Sequence, residues 1–151
     1  MLALGVIGAT ASAVALLGPA ESPKGVRLIA FGRESCAQCG MTISDPRFAA
    51  QLQTTAGDIY DFDDPGCLLT FMQQHHPEVR AIYFHAFDAD TWLNAEKVAL
   101  VGGKQSPMGY GLGAVSEGTA GAMSLAEAQG YLQARRRKLH SAAPWAEHAE
   151  H

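Results

Sequence analysis

The sequence has little cysteine, little proline and no excess of basic charge. Its 151 residues include three cysteines, too few for a disulfide-stapled scaffold, and an odd number leaves at least one sulfur without an intramolecular disulfide partner. A formal net charge of −4 argues against nucleic-acid binding, which requires a basic face, and the dense basic run 135–138 is too short to change that. With 48% hydrophobic residues, the chain has enough apolar material for one small folded domain.

The first residues predict export. Residues 2–17 carry no charge, are small or apolar, and precede the helix-breaking segment 18–21, a pattern typical of a secretory signal peptide. The run is shorter than the ~20 residues that usually span a bilayer, so an uncleaved membrane anchor is the second interpretation. We therefore expect residues 1–25 to be a signal peptide or an N-terminal anchor.

From residue 26 onward, strand and helix patterns alternate. We predict a strand over 26–31, a hairpin formed by 48–53 and 58–62, a helix that begins at Asp64-Pro65 and ends before Pro77, and a strand over 79–87. Strands over 97–101 and 110–115 follow, then a helix that begins at Ser124 with a capping box to Glu127. Residues 140–151 are predicted to form a flexible tail.

This order predicts the fold class. Hairpins combined with helices favour an α+β domain over 26–139, with a mainly antiparallel sheet and helices packed on one face. The elements form two small strand-strand-helix(-strand) halves, about 26–90 and 91–139, because the second half partly repeats the order of the first.

Sulfur ligands cluster in the segment from Cys36 to Met41. Cys36 and Cys39 are spaced to close on one metal ion or on each other, and Met41 adds a thioether. Soft ligands favour Cu(I) over Zn(II), and the chain has no second CxxC motif to complete a typical zinc site. A redox CxxC commonly opens a helix, which Gly40 and Pro46 disfavour. Metal binding and a disulfide or redox role both stay open.

Other potential ligands lie apart in sequence. Cys67 falls in the first turn of the predicted helix, where it is a ligand, a resolving thiol or a small core residue. Met108 stands between Pro107 and Gly109 in a loop, which makes it a better ligand candidate than a methionine at helical spacing. His85, in a predicted strand, is either a satisfied interior group or a ligand.

Several segments together resemble the NosL family, accessory proteins of nitrous oxide reductase. The segments, in chain order, are Cys36-Ala-Gln-Cys39-Gly40-Met41, Asp45-Pro-Arg-Phe-Ala-Ala-Gln51, Phe62-Asp63-Asp64-Pro65-Gly66-Cys67, Trp92 and Pro107-Met108-Gly109. The resemblance spans about residues 32–132. It implies a fold of two strand-strand-helix-strand halves and a Cu(I)-binding chaperone in the periplasm or on the outer face of the cell envelope.

The resemblance also implies a ligand set and a partner. Copper ligands are expected at Cys39, Met41 and Met108, and Cys36 and Cys67 match a three-cysteine branch of the family. The expected role is delivery of copper to an acceptor enzyme, nitrous oxide reductase or its assembly complex, without catalysis. Two alternatives remain: a thiol-disulfide protein acting on cysteines of a copper enzyme, and a structural zinc module built from Cys36, Cys39, Cys67 and His85.

Overall fold

A computed structural model describes residues 25–141. After a single 3-10 turn at Pro46–Phe48, β1 (Ala50–Thr54) and β2 (Ile59–Phe62) form the predicted hairpin, followed by α1 (Pro65–His75), β3 (Val79–His85) and β4 (Trp92–Asn94). These four strands make one antiparallel sheet in the order β2-β1-β3-β4. Strand β1 therefore has a paired neighbour on each side.

Helix α1 begins at the predicted residue. Asp64 is its N-cap, and the Asp64 carboxylate accepts a hydrogen bond of 2.8 Å from the Gly66 backbone N–H. Pro65 occupies the first helical position, where the missing N–H costs nothing. The helix ends at His75, and His76 takes a left-handed conformation with φ of 47°. Asp64 and Pro65 therefore determine the first residue of α1.

The second half contributes β5 (Val98–Val101), β6 (Gly113–Ser116) and α2 (Leu125–Ser141). The predicted capping box is present: Glu127 accepts from the Ser124 backbone N–H at 2.8 Å, and the Ser124 hydroxyl accepts from the Glu127 N–H at 3.3 Å. These bonds hold the pKa of Glu127 below its usual range. Strand β6 starts later than predicted because Gly109 and Gly111 have positive φ values of 68° and 77°, which extended strand does not accommodate.

The two halves share one core. Ala86 and Ala114 form a parallel bridge between the sheets, and the Phe87 N–H donates to the Ala114 carbonyl at 2.7 Å. Helix α1 packs on β1 and β2, α2 packs on β5, and the helices contact each other. The α+β class with mainly antiparallel sheets, predicted from the sequence, is confirmed.

The strand predicted over 26–31 was wrong. This segment pairs with no strand of the sheet, because the buried side chains of Gln51 and Gln53 on β1 bind the backbone at Arg27 and Gly25 instead. Gln51 accepts from the Arg27 N–H at 2.8 Å and donates to the Arg27 carbonyl at 3.0 Å. The Arg27 guanidinium also bridges Glu34 and Asp61. Hydrogen bonds from side-chain amides thus take the place of the backbone hydrogen bonds that a neighbouring strand would make.

Strand β4 was not predicted, because three residues carry too little pattern to identify a strand.

Of the segment predicted as a tail, residues 140 and 141 belong to α2. The remainder, and the predicted signal peptide or anchor apart from residue 25, lie outside the described residues. No described helix has the length and apolar character needed to cross a membrane.

Candidate metal centre

A tight loop brings Cys36 and Cys39 together. The Cys36 N–H donates to the Met41 carbonyl at 2.8 Å, and the Gly40 N–H donates to the Cys36 carbonyl at 2.9 Å. Gly40 has φ of 75°, in the left-handed region that glycine adopts at little cost. No helix follows the loop before the 3-10 turn, so the CxxC motif does not open a helix, as Gly40 and Pro46 indicated.

The hairpin and α1 supply the other side of the site. The Ala37 N–H donates to the Asp61 carbonyl at 2.8 Å, which fixes the cysteine loop against β2. Asp63 follows β2 directly, and Cys67 lies in the first turn of α1. The end of a strand and the start of a helix therefore present an acid and a thiol to the loop.

Four donor groups converge at this point. The sulfurs of Cys36, Cys39 and Cys67 and a carboxylate oxygen of Asp63 all lie within 4.8 Å of one another. Cys36, Cys67 and Asp63 are at most 2% exposed, whereas Cys39 is partly exposed. All three cysteines are free thiols in this structure. The cluster is a buried soft-ligand site that reaches the surface through Cys39.

The cysteines differ sharply in acidity. A hydrogen bond from Cys67 lowers the pKa of Cys36 to about 6. The pKa of Cys67 is raised by its bond to Cys36 and by burial. Burial raises the pKa of Cys39 to about 11, and the Cys39 thiol donates to the Asp63 carboxylate across 3.5 Å. In the metal-free cluster Cys36 is therefore the sulfur that ionises most easily, and Cys39 and Cys67 hold their protons more tightly.

This proton distribution makes metal affinity depend on pH. A cation bound by Cys39 or Cys67 must displace a proton from that sulfur, so the affinity falls as pH falls. From pH 7 to pH 8 we expect the apparent Cu(I) affinity to rise about tenfold if one proton is displaced and about a hundredfold if two are displaced. Competition with a chelator of known pH dependence would measure the slope. An affinity unchanged over this interval would contradict the proton distribution.

The structure brings three of the predicted ligands into the cluster: Cys36, Cys39 and Cys67. Met41 adjoins Cys36 through its backbone, and its side chain is 54% exposed. The Met108 N–H donates to the Asp64 carboxylate at 3.1 Å, and the Met108 side chain lines a cavity between the helices. The role of both thioethers as ligands stays a prediction.

The cluster differs from the predicted zinc site in one donor: it contains Asp63 and lacks His85. Asp63 was not among the predicted ligands, since an acid beside an N-cap is explained more simply by turn formation. Among the described residues the cluster contains Asp63 in place of His85, so the zinc set that included His85 was wrong. His85 is buried and engaged elsewhere: its ring nitrogens contact the Ala86 carbonyl at 3.0 Å and the Asp90 carboxylate at 3.2 Å.

Fold and cluster together define a small α+β domain with a candidate soft-metal site. Among solved structures, the chain is similar to the copper chaperone NosL from Shewanella denitrificans, with 20% identity and a TM-score of 0.53. The match covers 74% of this chain and 89% of that one, so the two proteins share a fold. The α+β fold expected from the NosL resemblance is thus confirmed, although no strand follows α2 within residues 25–141. No protein-family model and no curated protein matches the sequence.

Proposed function

We propose that the chain is a Cu(I) chaperone of the NosL type. The observation that carries this proposal is the convergence of three cysteine sulfurs within 4.8 Å, buried on one side and open at Cys39. Thiolates are the ligands that Cu(I) prefers, and a site without a rigid fourth thiolate leaves room for an acceptor's ligand. The shared fold with a copper chaperone supports the same function.

The finer proposal concerns place and partner. The signal-like residues 2–17 support export, and the NosL-like segments support delivery of copper in the periplasm or on the outer face of the cell envelope. We propose nitrous oxide reductase, or its assembly complex, as the acceptor. The reaction is an exchange of the ion between ligand sets, so no residue acts as a catalytic group.

A Cu(I) titration tests this function. The reduced chain is titrated without oxygen against a colorimetric Cu(I) chelator, with a parallel Zn(II) titration. We expect one Cu(I) per chain in competition with the chelator and much weaker zinc binding. A peptide of residues 34–42 is the matched control, because it keeps the CxxC motif but lacks Cys67 and Asp63. If the chain binds copper no better than this peptide, the proposal fails.

The thioethers have their own test. Replacing Met41 and Met108 together with leucine is expected to weaken Cu(I) binding about tenfold and to leave zinc binding unchanged, since thioethers favour soft monovalent ions. Met72→Leu is the control, because Met72 lies on α1 and packs against the core. An unchanged copper affinity in the double variant would remove both methionines from the ligand set.

A zinc site is the second candidate, and Asp63 is the observation that favours it. Three thiolates and one carboxylate oxygen make a four-donor set, which suits tetrahedral Zn(II) better than Cu(I). Asp63→Asn keeps the side-chain shape and removes the anionic donor. We expect zinc affinity to fall about tenfold or more while Cu(I) affinity changes little. Equal losses for both metals would show that Asp63 binds copper as well.

A further inference from the structure

A cavity lies between α1 and α2. Its volume is about 580 Å³, within the ~300–1,000 Å³ typical of small-molecule sites. Its apolar lining comes from α1, from the loop before β6 and from α2: Leu69, Met108, Tyr110 and Leu132. None of the four donors of the sulfur cluster lines this cavity. It therefore lies apart from the sulfur cluster, with Met108, a predicted copper ligand, in its wall.

The loop wall is held in place by close packing. A Cβ on Gly66 would lie 2.1 Å from Cγ of Tyr110, so the tyrosine ring covers the bare backbone of α1 at that residue. The Met108 N–H is bound to the Asp64 carboxylate, and the Ser106 hydroxyl accepts from the Gly111 N–H at 3.0 Å. The loop therefore forms a fixed wall of the cavity.

The charge of the lining is of one sign. The lining includes Arg135, Arg136 and Arg137 and no Asp or Glu, although the chain as a whole has a net charge of −4. Arg135 donates to the Tyr131 hydroxyl at 3.3 Å, a neutral acceptor that leaves its charge uncompensated by this bond. Guanidinium groups beside an apolar floor suit a ligand with an anionic end and an apolar body.

We propose that this cavity binds a small amphiphilic anion, a molecule with one carboxylate or phosphate head group and an apolar chain or ring. The head group contacts the arginines of α2, and the apolar part lies against the floor formed by the two helices and the loop. Two sources share this chemistry: a free organic anion and the head group of an anionic lipid. Because the four donors of the sulfur cluster lie outside the cavity, binding is tested on the metal-free protein.

The test uses displacement of a fluorescent probe from the full chain. Anilinonaphthalene sulfonate, which has an anionic group on an aromatic body, is bound first and is then displaced by decanoate below its micellar concentration. We expect one saturable site per chain and at least tenfold weaker displacement by decanol, which lacks the charge. Retention on phosphatidylglycerol vesicles in addition to decanoate binding assigns a lipid head group, and decanoate binding alone assigns a free anion.

Matched variants separate this cavity from general surface binding. Replacing Arg135 and Arg137 with glutamine should weaken decanoate binding about tenfold or more. Arg33 and Lys97 are exposed cations outside the lining. Replacing both with glutamine removes the same charge and should leave decanoate binding unchanged. Leu132→Trp narrows the apolar part of the cavity and should weaken binding several-fold with the charge intact. Three outcomes would overturn the proposal. The first is an equal loss of binding in the two charge variants, and the second is the absence of a saturable site. The third is unchanged binding in Leu132→Trp when near-ultraviolet circular dichroism shows a native fold.

Discussion

Replacing Cys36 with serine is expected to weaken Cu(I) binding about a hundredfold to a thousandfold. A structural Zn(II) site with four ligands contributes ~10–16 kcal/mol, and on that scale one thiolate accounts for ~3 kcal/mol or slightly more. Cys36 should be at the upper end of this range, because its pKa of about 6 makes it the sulfur that ionises most easily. Competition with a Cu(I) chelator at pH 7 measures the change.

The control for this variant is Ala37→Ser, which places a hydroxyl on the next residue of the same loop, at an exposed position. It should leave the copper affinity unchanged. Circular dichroism on both variants checks that the buried serine has not unfolded the loop. If Cys36→Ser loses less than about fivefold in affinity with its fold intact, Cys36 is not the principal ligand.

The second large effect concerns stability. Gly66→Ala is expected to lower the free energy of unfolding by about 3 kcal/mol, because the added Cβ would lie 2.1 Å from Cγ of Tyr110 and the ring must move. Gly66 also donates to the N-cap Asp64 and precedes Cys67, so the shift should weaken copper binding as well. Urea unfolding measures the loss.

A second glycine provides the comparison. Gly130 lies in α2, and a Cβ there would meet no atom within 4 Å. Gly130→Ala should therefore stabilise the chain by about 0.5–1 kcal/mol, the usual gain of alanine over glycine within a helix. Adding Tyr110→Ala to Gly66→Ala should recover part of the loss by removing the ring. Equal stability of the two glycine variants would show that the ring can move away from Gly66 at little cost.

The elements predicted correctly from the sequence are those determined by a few neighbouring residues. The start of α1 follows from Asp64-Pro65, and the start of α2 follows from the capping box of Ser124 and Glu127, each within a few residues. The CxxC loop belongs to the same group, because Gly40 and its neighbours determine that no helix follows Cys39. Local chemistry was sufficient in each of these cases.

The elements that were missed depend on partners distant in sequence. Residues 26–31 have the pattern of a strand, but the buried side-chain amides of Gln51 and Gln53 bind the backbone at Arg27 and Gly25 in place of a strand partner. Asp63 is one acid among several in its turn, and only the folded chain places it beside Cys39. The sequence therefore identified the three cysteines of the cluster by their residue type and missed the Asp63 carboxylate, whose place beside them depends on the fold.

The unequal exposure of the three cysteines has a kinetic consequence. Within residues 25–141, Cys36 and Cys67 are buried and Cys39 is partly exposed, so an incoming nucleophile should approach a bound ion from the side of Cys39. Exchange should then be associative: the attacking thiolate or thioether binds before Cys39 leaves, and the release rate rises with acceptor concentration. Spontaneous dissociation, which requires all the sulfurs to detach, should be slow. A tightly held ion can thus be kinetically labile toward a docked protein while remaining inert toward bulk solvent.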